Sequence, residues 1–199
     1  MSRVRRLDPE ELRWAYTHGA FPMASPNGEI QLYQSDPRAI FPLDGFHVSR
    51  SLARRIKRGE YRVTFDQDFE HVIRGCLRPF DNWLNEEIIQ AFLVAHRLGW
   101  AHSAECWREG NLVGGVYGIA VGGCFSAESM FHRATDASKV ALHALIVRCR
   151  ELGFALFDAQ VMNEHLRSLG AIEIDAAEFA QMQQSAHRVM TPWSAPPFR

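Results

Sequence analysis

An acidic residue lies inside a stretch of the sequence that otherwise has the pattern of a buried strand. Glu128 belongs to the segment 124–131, in which Ser126 and Ser129 are the other polar residues. A carboxylate in a central strand costs free energy unless a partner pairs with it. Period-two alternation alone also allows an outward-facing residue at the edge of a sheet. Glu128 is therefore a candidate catalytic carboxylate that needs a partner from elsewhere in the chain, with the edge residue as the alternative.

A cluster of cations is the second feature of the sequence that could bind a ligand. The segment HVSRSLARRIKRG is predicted to form a helix that begins after Ser49, with Leu52 and Ile56 facing inward. It carries five cations without an interleaved acid: Arg50, Arg54, Arg55, Lys57 and Arg58. Such a row suits a phosphate backbone, because each neutralised phosphate adds salt-sensitive affinity. A solvated helix face without a partner is the alternative.

Several predicted elements must position these residues. Three strands are expected within 104–131, joined by tight turns at 109–111 and 122–123 whose residues tolerate positive φ angles. Helices are predicted at 8–17, 49–59, 69–77, 85–99 and 135–152, further strands at 31–33, 61–65 and 154–160, and a loop at 78–82. The helix at 135–152 joins two strands by one parallel step. This order indicates an α+β chain of the α/β-layered type.

Composition bounds the class of protein. The chain has 199 residues, is 47% hydrophobic and carries a net charge of −1, so its global charge does not indicate nucleic acid. We expect a small N-terminal lobe at 1–36 followed by one domain at 37–199. Neither a membrane span nor a signal peptide is predicted, and the four scattered cysteines are interpreted as reduced thiols of a cytoplasmic protein. A disulfide or a zinc site is the alternative for the cysteines.

The order of elements resembles the plan of the GNAT acyltransferases, in which two central strands splay and leave a cleft for the acyl donor. Their coenzyme A-binding turn would stand just before the helix at 135–152. The chain reads MFHRATDASKVA there, without a glycine, so no backbone nest for a pyrophosphate is expected. A P-loop, a dinucleotide fingerprint and a Gly-x-Ser-x-Gly elbow are also absent from the sequence. An acyltransferase of this kind would take its acyl group from another activated carrier.

Longer motifs carry a more specific resemblance. They are LDPEELRWAYTHGAFPM, SDPRAIFPL, YRVTFDQDFEHVIRGC, WLNEEIIQAF, LVGGVYGIAVGGCFSAESMF and FDAQVMNEHLRSLGA. From about residue 7 to residue 193 the chain resembles the leucyl/phenylalanyl-tRNA–protein transferases. The resemblance implies transfer of leucine or phenylalanine from its tRNA to the N-terminus of proteins that begin with arginine or lysine, which marks them for N-terminal-rule degradation. It implies no cofactor and no metal, since an aminoacyl ester is already activated.

The same resemblance assigns roles to individual residues. Glu128, Asp158 and Gln160 match the polar active-site positions of the family. Glu128 would accept a hydrogen bond from the incoming amine, and Gln160, held by Asp158, would position the amine or the ester carbonyl. Asn163 would orient the neighbouring loop. Read without the family, Gln160 is an ordinary amide at the end of a strand.

Apolar and aromatic positions are assigned by the same transfer. The walls of the donor side-chain pocket would be Val116, Phe125, Met130, Leu142 and Phe157. Tyr16 and Trp83 would hold the terminal adenosine of the tRNA, where stacking contributes roughly 1–3 kcal/mol. All these residues are also compatible with a plain hydrophobic core. Shape must carry donor selectivity, because one methylene discriminates by only about 1–3 kcal/mol.

Three departures from the family qualify these expectations. Met23 stands where the family has tryptophan, Phe157 replaces a commonly aliphatic residue, and a glycine-rich N-terminal segment is missing, so a trimmed N-terminal lobe is expected. Binding of tRNA would then depend more on the basic helix. Two alternative functions stay open: an enzyme with the same donor and a different acceptor, and a tRNA-binding module without turnover.

Overall fold

The computed structural model describes residues 2–3, 7–78 and 83–193. The predicted loop at 78–82 therefore lies almost entirely outside the described residues. The first half of the chain contains β1 (Ser2–Arg3), α1 (Pro9–Thr17), β2 (Phe21–Ala24), β3 (Ile30–Tyr33), β4 (Arg38–Phe41), α2 (Arg50–Arg58), β5 (Arg62–Phe65), α3 (Phe69–Gly75) and α4 (Glu86–Arg97). The second half contains β6 (Ala101–Arg108), β7 (Asn111–Val121), β8 (Cys124–His132), α5 (Ala137–Glu151), β9 (Leu156–Gln160), α6 (Glu164–Ser168), β10 (Ile172–Ile174) and α7 (Ala176–Ala186).

A seven-stranded sheet organises the fold, with strand order β10-β4-β9-β8-β7-β6-β5. The meander β6-β7-β8 is antiparallel, as the turn residues predicted. β8 and β9 are parallel, which confirms the predicted parallel step across α5. The chain therefore has the mixed α+β class that the sequence indicated.

Some elements went unpredicted. β3 pairs with both β1 and β2 in a separate three-stranded sheet, and β3 confirms the strand expected at 31–33. The sequence reading missed β1, β2, β4, α6, β10 and α7. β2 and β4 lie in a segment rich in proline, where four-residue strands leave little periodicity to detect. The division of the chain at residue 36 stays a prediction.

Side-chain caps fix the starts of the helices that flank the site. Asp8, Ser49 and Asn85 each accept a hydrogen bond from a backbone N–H in the first turn of α1, α2 and α4, respectively. Such caps satisfy donors that lack a partner inside the helix. On α2, Leu52 is buried as expected, but the expectation for Ile56 was wrong: this side chain is exposed, because α2 packs on the domain through a narrow face.

Two hydrophobic clusters enclose the main sheet. One lies between the sheet and α1, α3 and α4, and it contains Tyr117 and Phe131. The other lies under α5 and contains Phe41, Phe125 and Phe157. All four cysteines are buried and free of disulfides, as the sequence reading favoured. None of the described helices is long and apolar enough to cross a membrane.

The two central parallel strands separate part-way along their length. β8 pairs with β9 only from Cys124–Leu156 to Ser126–Asp158. β8 then continues to His132, whereas β9 ends at Gln160. The strands therefore leave a gap beyond Ser126, and this gap opens the candidate site.

Candidate active site

A β-bulge places Glu128 at the mouth of this gap. Tyr117 pairs with Ser129 and its neighbour Gly118 pairs with Ala127, so Glu128 is the extra residue on β8. Bulges re-aim a side chain relative to regular alternation. A Cβ at Gly118 would lie 2.3 Å from the carbonyl oxygen of Ser126, so the bulge also requires glycine on the opposite strand. The side-chain orientation of Glu128 therefore does not follow the period-two alternation of β8.

A second bulge aims Gln160. Ala39 pairs with Gln160 while Ile40 pairs with Asp158, so Ala159 is the extra residue on β9. Gln160 has a φ of 63°, a left-handed backbone conformation that residues other than glycine rarely adopt. Its backbone is held at both ends: its N–H donates to Asp158 Oδ1 at 2.9 Å, and its carbonyl accepts from Ser35 Oγ at 2.7 Å.

The side chains of the two bulged segments meet in the gap. Gln160 Nε2 donates a hydrogen bond to Glu128 Oε1 at 2.5 Å. The expected pair therefore faces one cleft between the separated strands. Because an amide can donate to a carboxylate without neutralising it, this contact orients Glu128 and leaves its second oxygen available.

A buried ion pair supports Gln160 from behind. Arg38 Nε and Nη2 donate to the two carboxylate oxygens of Asp158 at 2.8 and 2.7 Å, and both residues are almost fully buried. Ser126 Oγ donates to Asp158 Oδ2 at 2.9 Å. Arg38 Nη1 also donates to the carbonyl of Gly19 at 2.9 Å. The Asp158 carboxylate thus accepts four hydrogen bonds from within the protein. One of them comes from the backbone N–H of Gln160, so Asp158 positions Gln160 through its backbone.

Glu128 lies in a poorly solvated environment. Burial raises the pKa of Glu128 to about 7, with opposing effects from the polar groups of Tyr16 and Gln160. Within the described part of the chain, neither Glu128 Oε2 nor the hydroxyl of Tyr16 has a hydrogen-bond partner. Burial, followed by the charge of Glu128, raises the pKa of Tyr16 and Tyr117 well above their usual range, so both phenols stay neutral. A carboxyl with a pKa near 7 exchanges protons readily at neutral pH.

A cavity lined by both apolar and polar residues adjoins Glu128 on one side. Its volume is about 120 Å³, which is similar to the roughly 150 Å³ that holds a benzene-sized molecule. We call it the donor cavity. It is lined by Phe41, Arg78, Val116, Ala127, Glu128, Ser129, Met130, Leu142, Ala159, Asn163 and Leu166.

A second, larger cavity opens on the other side of Glu128. It has a volume of about 300 Å³, and we call it the aromatic cavity. Its walls are Phe21, Met23, Trp83, Glu128, Ala159, Gln160, Val161, Asn163 and Leu166. Glu128, Ala159, Asn163 and Leu166 border both cavities, so one ligand could occupy the two with its reactive centre beside Glu128.

The predicted pocket residues divide into two groups. Val116, Met130 and Leu142 line the donor cavity. Phe125 and Phe157 do not: both are fully buried, and they stack on each other with ring centroids 5.4 Å apart. Phe157 also packs edge-on against Phe41, which supplies the wall instead. Direct contact of Phe125 or Phe157 with a donor therefore has no support in this geometry, and their influence would pass through Phe41.

The two predicted adenosine-binding aromatics also differ. Trp83 lines the aromatic cavity, beside Met23. Tyr16 is only 2% exposed and packs edge-on against Phe92. Stacking of an adenosine on Tyr16 therefore has no support in this geometry, because its ring is almost fully buried. Tyr16 instead presents its hydroxyl towards Glu128.

Asn163 has a local structural role in addition to its position. Its Oδ1 accepts from Leu166 N–H at 2.8 Å and so caps α6. The side chain lies on the border of both cavities. This agrees with the expected orientation of the neighbouring loop.

The basic helix α2 lies apart from the cleft. Leu52 is its buried residue, and four of its five cations have no ion pair among the described residues. Arg55 differs, since it pairs with Glu60 at 2.5 Å and with Asp136 at 3.1 Å. Four free cations, Arg50, Arg54, Lys57 and Arg58, thus remain for a polyanion.

Comparison with known proteins decides the family. The model of the family "Leucyl/phenylalanyl-tRNA protein transferase" matches residues 40–184, and the model of that family's N-terminal domain matches residues 5–36. The chain belongs to this family.

Relatives agree with that membership. The chain is 53% identical to the leucyl/phenylalanyl-tRNA–protein transferase of Rubrobacter xylanophilus over 92% of its own length and 97% of the relative. It is 50% identical to the same-named protein of Ruegeria pomeroyi, over 90% of this chain and 87% of the relative. Among solved structures, a GCN5-related N-acetyltransferase-like protein from Streptococcus suis aligns with a TM-score of 0.40 and 15% identity, over 69% of this chain and 57% of that one. A likeness that weak does not establish the fold.

Two important residues of this leucyl/phenylalanyl-tRNA–protein transferase family member escaped the sequence reading. Arg38 anchors Asp158, and Phe41 forms a wall of the donor cavity. Both belong to the motif SDPRAIFPL, whose resemblance to the family was noted without assigning a role to any of its residues. An arginine at the start of the apolar run 39–41 was the available signal, since a buried cation requires a buried acid.

Proposed function

We propose that the chain transfers leucine or phenylalanine from aminoacyl-tRNA to the N-terminal α-amine of acceptor proteins. The observation that carries the proposal is the hydrogen-bonded pair of Glu128 and Gln160 between the donor cavity and the aromatic cavity. Family membership supports the same activity. In this arrangement the donor side chain occupies the donor cavity, and the terminal adenosine occupies the aromatic cavity against Trp83.

The chemistry needs little beyond positioning. The lone pair of the amine attacks the ester carbonyl carbon, a new C–N bond forms, and the C–O bond to the ribose breaks. The amine loses a proton and the ribose oxygen gains one, so the reaction is balanced without an oxidant or ATP. An activated ester reacts fast when the two partners are held in contact.

Glu128 is suited to handle the proton. An α-ammonium group has a pKa of about 7.7–8.0, close to the value of about 7 for Glu128. As a carboxylate, Glu128 accepts a hydrogen bond from the amine and takes its proton. Gln160 keeps the carboxylate oriented, and Asp158 with Arg38 keeps Gln160 in place. Asp158 is therefore a positioning residue in this scheme.

The finer features of the proposal follow from family resemblance. They are a GNAT-like domain, a cytoplasmic location, basic first residues on the acceptor, and a reaction without cofactor or metal. The separation of β8 from β9 supports the GNAT-like plan. For the acceptor, the two alternatives are a different first residue and a binding module without turnover.

Transfer of labelled leucine and phenylalanine from charged tRNA onto peptides that differ only at their first residue tests the proposal. Label should enter peptides that begin with arginine or lysine, and a peptide with an acetylated N-terminus is the matched control. Label on peptides with acidic first residues would favour the alternative acceptor. Binding of charged tRNA without any transfer would favour the binding module.

A further inference from the structure

A third cavity lies at the start of α5, outside the site described above. It has a volume of about 640 Å³, and we call it the basic cavity. Its walls are His132, Arg133, Ala134, Thr135, Asp136, Ser138, Lys139 and His165. Four of these side chains are basic and one is acidic. The sequence excluded a glycine nest here, but the residues that line this cavity carry charged and hydroxyl side chains.

The charges of the basic cavity are unbalanced. Asp136 is already shared, because Lys139 Nζ lies 2.9 Å from Oδ1 and Arg55 Nε lies 3.1 Å from Oδ2. Arg133 contacts the ring of Phe131 but pairs with no acid among the described residues. Burial, followed by the positive charges of Lys139 and His132, lowers the pKa of His165. An anion between these groups would relieve their repulsion.

A hydroxyl adds a further donor to the basic cavity. Ser138 lines the basic cavity although the residue is only 5% exposed. Its Oγ is not fully enclosed, so the hydroxyl is accessible from the cavity. A ligand oxygen in the basic cavity would accept its hydrogen bond.

The basic cavity lies on the same two elements as part of the donor cavity. On β8, His132 follows Met130 of the donor cavity by two residues, and on α5, Ser138 precedes Leu142 by about one turn. On its other side, the Arg55–Asp136 ion pair joins the cavity to the cation row of α2. The cations therefore run from α2 to the cleft, which suits a chain of phosphates better than one isolated carboxylate.

We propose that the basic cavity binds a backbone phosphate of the single-stranded 3′ end of the donor tRNA, through Arg133, Lys139, His165 and the hydroxyl of Ser138. This inference rests on the proposed function. It assigns to the α5 start a role in leading the RNA from α2 to the cleft. A carboxylate of the acceptor peptide is the competing occupant.

Three leucyl donors separate these possibilities: leucyl-tRNA, a leucylated CCA trinucleotide, and leucyl-adenosine, which has no phosphate. In the double variant Arg133→Gln/His165→Gln, KM should rise about tenfold for the first two donors and stay unchanged for leucyl-adenosine. The slope of log affinity against log salt should become shallower by about 0.7 for each lost contact with the single strand. Arg188→Gln, an exposed change beyond α7, is the matched control.

Other results would overturn the proposal. An equal loss with leucyl-adenosine would place the cations in the catalytic step, and a rise only in the KM of the acceptor peptide would assign the cavity to the acceptor. No change with any donor would make the cluster a solvated surface. Thermal unfolding of the double variant must match that of the wild type, and Ser138→Ala provides a milder variant if it does not.

A binding measurement decides the question independently of turnover. Uncharged CCA trinucleotide should raise the pKa of the His165 ring, followed by NMR and identified by the signal missing in His165→Gln, because phosphate stabilises the imidazolium. An unchanged titration would contradict the phosphate site. If wild-type protein bound CCA in this way yet transferred nothing even from leucyl-tRNA, the proposed function would fail while the site stood.

Discussion

Gln160 donates a 2.5 Å hydrogen bond to Glu128, and each residue comes from a point where its strand departs from regular pairing. Glu128 is the extra residue of one bulge, and Gln160 follows the extra residue of the other. The sheet thus turns two side chains out of its own alternating order and into the gap between β8 and β9.

The pKa of Glu128 predicts a pH dependence of stability. The unfolded carboxyl titrates near 4.5 and the folded one near 7, so between these values the folded protein holds a proton that the unfolded chain has released. The free energy of unfolding should therefore fall as pH rises from about 4.5 to about 7, by up to about 3 kcal/mol. Urea denaturation across this range should show the fall in wild type and not in Glu128→Gln. Parallel curves would contradict the raised pKa.

The same group predicts the shape of the rate profile. If Glu128 must be ionised and the acceptor amine must be neutral, a plot of log kcat/KM for the acceptor peptide against pH should rise with slope two below about pH 7. In Glu128→Gln only the ionisation of the amine remains, so the slope should be one and the rate lower by about 10²–10⁴-fold. Gln90→Ala, an exposed change on α4, serves as the control. A slope of two in Glu128→Gln would show that another group takes the proton.

Breaking the buried ion pair should be costly. Arg38→Met leaves the Asp158 carboxylate buried without its cation, and such a change costs about 3–5 kcal/mol. Chemical denaturation measures the loss, and Arg188→Met, at an exposed site, should stay within about 0.5 kcal/mol of wild type. Adding Asp158→Asn to Arg38→Met should recover part of the loss. Without any recovery, packing of Arg38 against Phe21 and Phe179 would be its main contribution.

Reversal of charge on α2 should weaken tRNA binding. Arg54 and Lys57 make no ion pair among the described residues, so Arg54→Glu/Lys57→Glu removes free cations and leaves the Arg55 pairs intact. Affinity should fall, and the salt slope should become shallower by about 0.9 for each lost contact with duplex phosphate. The control is Arg97→Glu/Arg188→Glu, which makes the same charge change at exposed sites elsewhere. Equal effects in both double variants would show that α2 affects tRNA binding only through the net charge of the protein.

The donor cavity predicts the choice of amino acid. At about 120 Å³ it should accept leucine at least as well as phenylalanine, while branching at Cβ should exclude isoleucine and valine. Phe41→Leu should favour phenylalanine by about 1–3 kcal/mol in the ratio of kcat/KM values. Phe157→Leu should have a smaller effect, since it acts through Phe41, and Phe154→Leu in the same core should have none. A larger effect at Phe157 would restore it to the cavity wall.

Replacement of Met23 by tryptophan should raise the affinity for aminoacyl-tRNA. Met23→Trp adds an aromatic face beside Trp83 in the aromatic cavity, and stacking of one base contributes about 1–3 kcal/mol. The KM for aminoacyl-tRNA and for leucyl-adenosine should both decrease, whereas Met190→Trp at an exposed site should change neither. An increase in KM would show that the longer side chain fills the cavity instead of extending its wall.

Sequence patterns predicted the scaffold better than the site. Strong periodicity and caps located α1, α2, α4 and α5, and glycine turns located the meander β6-β7-β8. The short strands β2, β4 and β10 carried too few residues for a period to show. Their formation depends on partners distant in sequence, as the pairing of β4 with β9 illustrates.

Within the site, Glu128 was a candidate from its place in an apolar strand, but its pairing with Gln160 came from family resemblance, and alternation alone could not have shown it. A bulge shifts the parity of a strand, so a period-two reading of β8 fails at Glu128 itself. Arg38 was missed because a single cation in an apolar segment reveals nothing about its distant acid. The wall of the donor cavity was assigned to Phe157 instead of Phe41 for a related reason. Both residues are buried, and only the packing shows which one faces the cavity.

Arg38 has a consequence for how the molecule comes apart. One guanidinium bridges the Asp158 carboxylate in the main sheet and the carbonyl of Gly19, which follows α1. The segment around α1 therefore completes the hydrogen bonds of a charge that the main sheet buries. Deleting or melting that segment would leave a donor of this cation stranded, so the two parts should lose their structure in a single cooperative transition.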